Sequence, residues 1–231
     1  MGKLVAATPA ATIRQVSVSS MDNNVYLLTS RSSGQRILID AAADPAAILA
    51  MIAESAGDAP ADAWGGLAET QDAPGVVLVV TTHQHADHLG ALAQLAARTG
   101  ARTVAGREDA ASIRAQTGVA ADEVVGDGDT IGVEGIDLAV IGLRGHTPGS
   151  IALACAEPGQ PVHLFTGDSL FPGGVGNTQG DPRRFAGLLA DVTARIFGVY
   201  GEDAIVHPGH GAPTTLGAER PHLAEWAARR W

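Results

Sequence analysis

Within six residues, His83-Gln84-His85-Ala86-Asp87-His88, the chain places three imidazoles and a carboxylate. Those donors form the ligand set that suits zinc and other first-row divalent metals. The apolar run Val76-Val77-Leu78-Val79-Val80 precedes them and reads as a buried strand, so the donors emerge on a loop at a sheet edge, where sites are usually built. His83 and His85 stand two apart and point the same way in extended chain, whereas Asp87 and His88 fall on the turn that follows. Two ligands can therefore face one metal and two another, and each metal needs more ligands from elsewhere. A solvated polar turn is the ordinary alternative, and four ligands in six residues argue against it.

Three later segments supply the missing donors. Gly145-His146-Thr147-Pro148-Gly149-Ser150 puts a histidine in a turn before the apolar stretch Ile151 to Ala156. Thr166-Gly167-Asp168-Ser169 puts a carboxylate after Val162 to Phe165, and Pro208-Gly209-His210-Gly211 puts a histidine after Ala204 to Val206. Each lies at the entry or exit of a strand, beside glycines that let backbone crowd a site. With the first cluster they make seven ligands, enough for two metals.

In that order, His-x-His-x-Asp-His, His, Asp, His, the sequence resembles the metallo-β-lactamase superfamily of hydrolases, from about Ile13 onward. The resemblance implies that His83, His85 and His146 hold a first metal, that Asp87, His88 and His210 hold a second, and that Asp168 bridges them. It also matches Leu38-Ile39-Asp40-Ala41-Ala42 to an early acidic motif, without the usual glycine after the aspartate. Asp40 is therefore expected to orient a ligand rather than to be one. The implied fold is an α/β four-layer αββα sandwich, with every ligand in a loop at a strand end along one edge.

The elements that must position these residues can be read separately. Ile13 to Val18, Asn24 to Arg31 and Arg36 to Asp40 read as opening strands, with Gly34 and the Met21-Asp22-Asn23 turn between them. Asp44-Pro45 supplies a cap and a first-turn proline before Ile48, Leu49 and Ile52 at helical spacing. Leu89, Leu92, Leu95 and Ala96 mark a second helix, and Glu108 to Gln116 a third. Gly126 to Gly132 reads as a turn leading to the strand Ile136 to Leu143. Asp181-Pro182 opens a helix whose Phe185, Leu188, Leu189, Val192 and Ile196 form an apolar stripe, and Leu223 with Trp226 suggests a last helix. Residues 1–12 read as a loose tail broken by Pro9, residues 13–231 as a single domain, and Gly57 to Gly75 as an exposed loop or insertion.

Composition narrows the function classes. Of 231 residues, 45% are hydrophobic, which excludes a disordered chain, and no apolar stretch reaches the ~18 residues that cross a bilayer. A net charge of -10 opposes binding to a phosphate backbone, so no nucleic-acid and no membrane partner is expected. The single cysteine, Cys155, permits no internal disulfide and fits a cytoplasmic protein with a buried, inert thiol. Lys3 is the only lysine, so an anion in the cleft would meet arginine, with Arg144 and the pair Arg183-Arg184 as candidates. His207 is expected to be structural, and His163 and His222 to be ordinary.

The chemistry expected of two divalent ions, zinc first and iron or manganese also accepted, is hydrolysis by a metal-bridging hydroxide. Asp87 and Asp168 are the residues expected to act in catalysis. A thiolate, with a thiol pKa near ~8.5, leaves without a strong general acid, so a small thioester of hydroxyacyl-thiol type is the expected substrate. Thr166 to Gly176 resembles the glyoxalase II branch, whose members hydrolyse hydroxyacyl-glutathione thioesters. Asn177 stands where that branch commonly carries a basic residue, which leaves the thiol carrier open. The alternatives are a mononuclear iron persulfide dioxygenase, or a lactonase or other ester hydrolase of the same fold.

Overall fold

The computed structural model describes residues 2–59, 73 and 75–229. Seven strands form the first sheet in chain order: β1 (Lys3–Ala7), β2 (Ala11–Val18), β3 (Asn23–Ser30), β4 (Arg36–Ile39), β5 (Val76–Thr81), β6 (Arg102–Gly106) and β7 (Glu123–Val125). β1 to β4 pair antiparallel, and β4 to β7 pair parallel. The second sheet is built from β8 (Thr130–Val133), β9 (Ile136–Gly142), β10 (Ile151–Cys155) and β11 (His163–Gly167). The hairpin β12 (Leu170–Phe171) and β13 (Gly174–Val175) stands apart, and β14 (Ile205–Pro208) and β15 (Thr214–Thr215) complete the second sheet in the order β15-β14-β11-β10-β9-β8.

Side-chain alternation along these strands makes four layers. Ile13, Tyr26, Leu28, Ile39, Leu78 and Val80 face Leu138, Val140, Leu153 and Phe165 across the space between the sheets. The neighbouring residues of the first sheet, Val25, Leu27, Leu38 and Val79, turn the other way. They pack on Ile48, Met51 and Ile52 of α1 (Pro45–Glu54), Leu92 and Leu95 of α2 (Leu92–Thr99), and Ile113 of α3 (Ala110–Thr117). On the far side, Ala152, Ala154, Leu164 and Val206 meet Leu188 and Val192 of α4 (Pro182–Val192). Leu216 of the short α5 (Leu216–Glu219) and Trp226 of α6 (Leu223–Arg229) join the same core. This is the expected αββα arrangement: a strand buried on both faces reads as a continuous apolar run, as β4 and β5 do.

Local chemistry sets the helix starts. Asp44, in the left-handed region, accepts from Ala47 N at 3.1 Å ahead of Pro45. Asp181 accepts from Arg183 N and Arg184 N at 2.8 and 3.2 Å ahead of Pro182. Both are side-chain caps of the kind whose removal costs about 1 kcal/mol. The α4 helix continues through a π turn over Thr193–Phe197, which keeps Ile196 and Phe197 in the core.

Three expectations need correction. The supposed loose tail contains β1, paired with β2 from Lys3 opposite Gln15 to Ala7 opposite Thr12. A five-residue edge strand that is exposed or half-buried throughout carries little hydrophobic pattern, so it reads as tail. The turn expected over Gly126 to Gly132 closes earlier, at Gly126 to Asp129, and Thr130, Ile131 and Gly132 are already in β8. Gly132 belongs there because a Cβ would lie 2.3 Å from Ile136 O. The second helix starts at Leu92 rather than Leu89, after a single 3₁₀ turn over Ala86–His88. Apart from its first three residues, Ala73 and Gly75, the expected loop over Gly57 to Gly75 lies outside the described residues. Among the described residues no helix is long and apolar enough to cross a membrane.

Candidate metal centre

All seven expected ligands meet at one edge of the sandwich. His83 and His85 leave the end of β5, and Asp87 and His88 follow on the 3₁₀ turn. His146 sits in the loop between β9 and β10, Asp168 directly follows β11, and His210 lies two residues past β14. Donor atoms of His83, His85 and His146 lie within 4.8 Å of one another, and so do those of Asp87, His88 and His210. Asp168 stands between the trios. Its Oδ2 is 4.0 Å from His83 Nε2, 3.5 Å from His146 Nε2 and 3.4 Å from His210 Nε2, and its Oδ1 is 3.4 Å from His88 Nε2.

Four of the five rings are held by the nitrogen that faces away from this point. His83 Nδ1 lies 3.0 Å from the Thr82 hydroxyl, which itself donates to Asp40 and so accepts from the ring. His88 Nδ1 meets Asp40 Oδ2 at 3.0 Å, His146 Nδ1 the Asn177 carbonyl at 2.8 Å, and His210 Nδ1 the Met21 carbonyl at 2.8 Å. An oxygen acceptor at Nδ1 fixes the proton there and leaves the Nε2 lone pair toward the centre, the arrangement that metal-binding histidines use. His83 Nε2, His146 Nε2 and Asp168 Oδ1 are buried and lack a hydrogen-bond partner. Buried polar atoms without partners are rare and costly, and a divalent cation is the group that would satisfy all three. The donor set fits two such ions.

Asp40 supports this edge from below. Its φ of 55° lies in the left-handed region that aspartate tolerates, and turns the carboxylate to accept from Thr82 N and Thr82 Oγ1, both at 2.8 Å. Asp40, His83 and His88 also form a compact trio within 4.8 Å. The Asp40 oxygens are already occupied by Thr82 and by the far nitrogen of His88, so orientation is its part. Glycine permits the crowding: at Gly209 a Cβ would lie 2.2 Å from Asp168 Oδ1.

The two trios differ electrostatically. Burial lowers the pKa of His83 well below the ordinary imidazole value, with further lowering from His88, and burial lowers that of His146. Burial would also lower His88, but Asp40 and Asp168 together raise it to about 10, and the bond to Asp168 raises His210. Burial pushes the Asp168 carboxyl upward, and the contacts from His210 and His88 outweigh it and hold the pKa well below the carboxylate range.

Other singled-out residues stand apart from the cluster. Arg144, a candidate for anion recognition, is instead paired with Asp191 through Nε and Nη2 at 3.0 Å each. Arg184 donates to the carbonyls of Gly145 and His146, bracing the His146 loop from outside. His207 is buried and structural: its Nε2 meets His163 Nδ1 at 2.9 Å, its ring stacks on Phe165, and burial pushes its pKa down to about 3. His163 is thus part of a core pair, while His222 pairs with Glu225 at 3.3 Å. Burial raises the Cys155 thiol to about 11, which makes it inert.

Sequence reasoning missed two residues that position ligands. Asn23, fully buried, donates to Asp87 Oδ2 at 2.9 Å and bridges to His210 through the backbone. It reads as turn because its neighbours are polar. Asp109, also fully buried, accepts from Gln84 N at 3.0 Å, Thr147 Oγ1 at 2.5 Å and Gly149 N at 2.7 Å. In the sequence it falls inside the third helix expected over Glu108 to Gln116, whereas it sits just ahead of α3 and its side chain makes no cap bond.

Residues 21–219 match the family described as Metallo-beta-lactamase superfamily. The hydroxyacylglutathione hydrolase of Anaeromyxobacter dehalogenans (strain 2CP-C) is 35% identical over 191 residues, which are 82% of this chain and 61% of that relative. The chain therefore spans under two thirds of that relative's length. Among solved structures, ETHE1 from Myxococcus xanthus superposes with a TM-score of 0.72 at 26% identity, over 94% of this chain and 84% of that one. TTHA1623, solved in a di-iron-bound form, superposes with a TM-score of 0.62 at 27% identity, over 89% of this chain and 96% of that one.

Proposed function

The chain belongs to the metallo-beta-lactamase superfamily, and from that premise we propose that it is a hydrolase carrying two divalent metal ions, zinc first, that cleaves a small thioester of hydroxyacyl-thiol type. The observation that carries this reading is the convergence of four Nδ1-anchored imidazoles, with orphaned nitrogens on two of them, around Asp168. His83, His85 and His146 would hold one ion, Asp87, His88 and His210 the other, and Asp168 both.

Two such ions, when bound, polarise a carbonyl and bring the pKa of a water toward neutrality. The residues do the rest. Asp168 Oδ1 and Asp87 Oδ2 lie 3.4 and 3.5 Å from the same His88 nitrogen, so both carboxylates face one small volume and orient what enters it. Asp87 is the more exposed, 27% against 12%, and its Oδ2 faces His88 Nε2 and His210 Nε2 at 3.5 and 3.3 Å, as a ligand shared with those two rings would. Asn23 fixes that oxygen by its 2.9 Å bond. Among the described residues no strong general acid stands over the site, and a thiolate leaving group requires none.

The thioester reading gains support from the relative named hydroxyacylglutathione hydrolase, and the pair of ions from the di-iron neighbour. The single buried thiol fits a reducing cytoplasm. Turnover of lactoylglutathione, two unrelated acyl thioesters, a lactone and a β-lactam tests the proposal. Thioesters are expected to be cleaved fastest. Absence of turnover on every thioester would overturn the reading, and one iron per chain with oxygen uptake on a persulfide would replace it with a dioxygenase.

A further inference from the structure

Asp109 is a buried carboxylate, 0% exposed, whose side chain does not cap its own helix. Burying a charge is unfavourable unless its partners compensate, and forgoing a cap adds about 1 kcal/mol. All its hydrogen bonds lead instead to two other segments. Oδ2 accepts from Gln84 N and from the Thr147 hydroxyl, and Oδ1 from Gly149 N. One carboxylate thus joins the loop that carries His83 and His85 to the loop that carries His146, across 25 and 38 to 40 residues of sequence.

The grip on Gln84 is the stronger part. Gln84 lies between His83 and His85, and α3 holds both ends of its backbone: Asp109 takes the N–H, and Gln116 Nε2 donates to the carbonyl at 2.8 Å. In extended chain, turning that residue turns both neighbouring imidazoles together. On the other side, Gly149 allows the approach, since a Cβ there would stand 2.5 Å from Asp109 N and 2.9 Å from Oδ1. Thr147 bonds Ser150 at 2.5 Å as well, so the turn after His146 is closed on the same carboxylate.

We propose that Asp109 is a positioning residue that sets the separation of the two loops bearing His83, His85 and His146, and through it the affinity of that trio for its metal ion. The inference rests on the two-ion reading above. It predicts a one-sided effect: the trio of Asp87, His88 and His210, which Asp109 does not touch, keeps its affinity.

The test is a Co(II) titration of the full chain, prepared metal-free, followed by visible absorption and by competition with a chromophoric chelator. His85→Ala and His210→Ala identify which spectral component belongs to which trio. In Asp109→Asn the component lost in His85→Ala should bind about 10 to 100 times more weakly, while the other stays within about threefold. Thr147→Val, which removes one donor and keeps the volume, should weaken the same component by a few-fold, and Thr147→Ser should restore it. Thr147→Val also serves if Asp109→Asn does not fold. Equal weakening of both components, or of neither, overturns the inference and leaves the two-ion reading standing. A wild-type chain that shows one component overturns both.

Discussion

His83, His85 and His146 lie on two loops whose backbone one buried carboxylate, Asp109, ties together in addition to the ring contacts of His83 and His146, whereas Asp87 and His88 are gripped at their side chains by Asn23 and Asp40 and His210 at its ring by the Met21 carbonyl. In the first trio α3 fixes the Gln84 peptide between two rings, and Asp109 ties the Thr147–Gly149 turn to it. In the second, Asp40 grips His88 through its ring, Asn23 grips the Asp87 carboxylate, and the Met21 carbonyl grips His210. His83 and His146 have lowered pKa values, whereas His88 and His210 are raised by neighbouring carboxylates. Two ways of building one site follow. A loop clamp sets spacing between ligands, and a side-chain anchor sets the direction of a single ligand.

The largest expected effect comes from the residue common to both halves. Asp168→Asn should lower thioester turnover by about a thousandfold or more, the scale seen when a member of a cooperating catalytic unit is removed. His85→Ala and His210→Ala should also abolish turnover, each with loss of one ion. Near wild-type rates in either would mean that the trios are wrongly drawn. Asp40→Ala sharpens the contrast from the other side: the ion held by Asp87, His88 and His210 should weaken by about 10 to 100-fold, with a smaller effect on its neighbour, read by metal competition.

A smaller and graded effect comes from the strand that leads to His210. His207 on β14 is held neutral by burial, with a pKa near 3 against an ordinary value of 6.5. The unfolded chain therefore takes up a proton that the folded chain refuses. Stability from this group is complete above about pH 6.5 and is lost as pH falls toward 3, by about 1.4 kcal/mol per pH unit within that window. His207→Phe, which keeps a ring against Phe165, should flatten the acid limb of the thermal midpoint. An unchanged limb would show that His207 carries none of it.

The candidate ligands stand out in the sequence because their chemistry is rare and because each lies near the end of a strand or at the turn before one. The layers were legible because β4, β5 and the α4 stripe are continuous or periodic apolar segments that allow one reading. The anchors were not. Three ring nitrogens rest on a hydroxyl or on backbone carbonyls, at Thr82, Met21 and Asn177, and a carbonyl belongs to every residue type. Asp109 was hidden within an ordinary helical segment, and β1 is a short edge strand, exposed or half-buried throughout, with no alternation to read. Arg144 looked available for an anion because the sequence does not reveal that Asp191 lies beside it.

The central claim is that both trios hold a metal ion and that hydrolysis needs both. Adding Zn(II) stepwise to the metal-free chain while following thioester hydrolysis and bound zinc tests it directly. Activity should rise to a plateau at two ions per chain, with little at one. Full activity at one ion per chain, or a second ion that binds without altering the rate, would contradict the account.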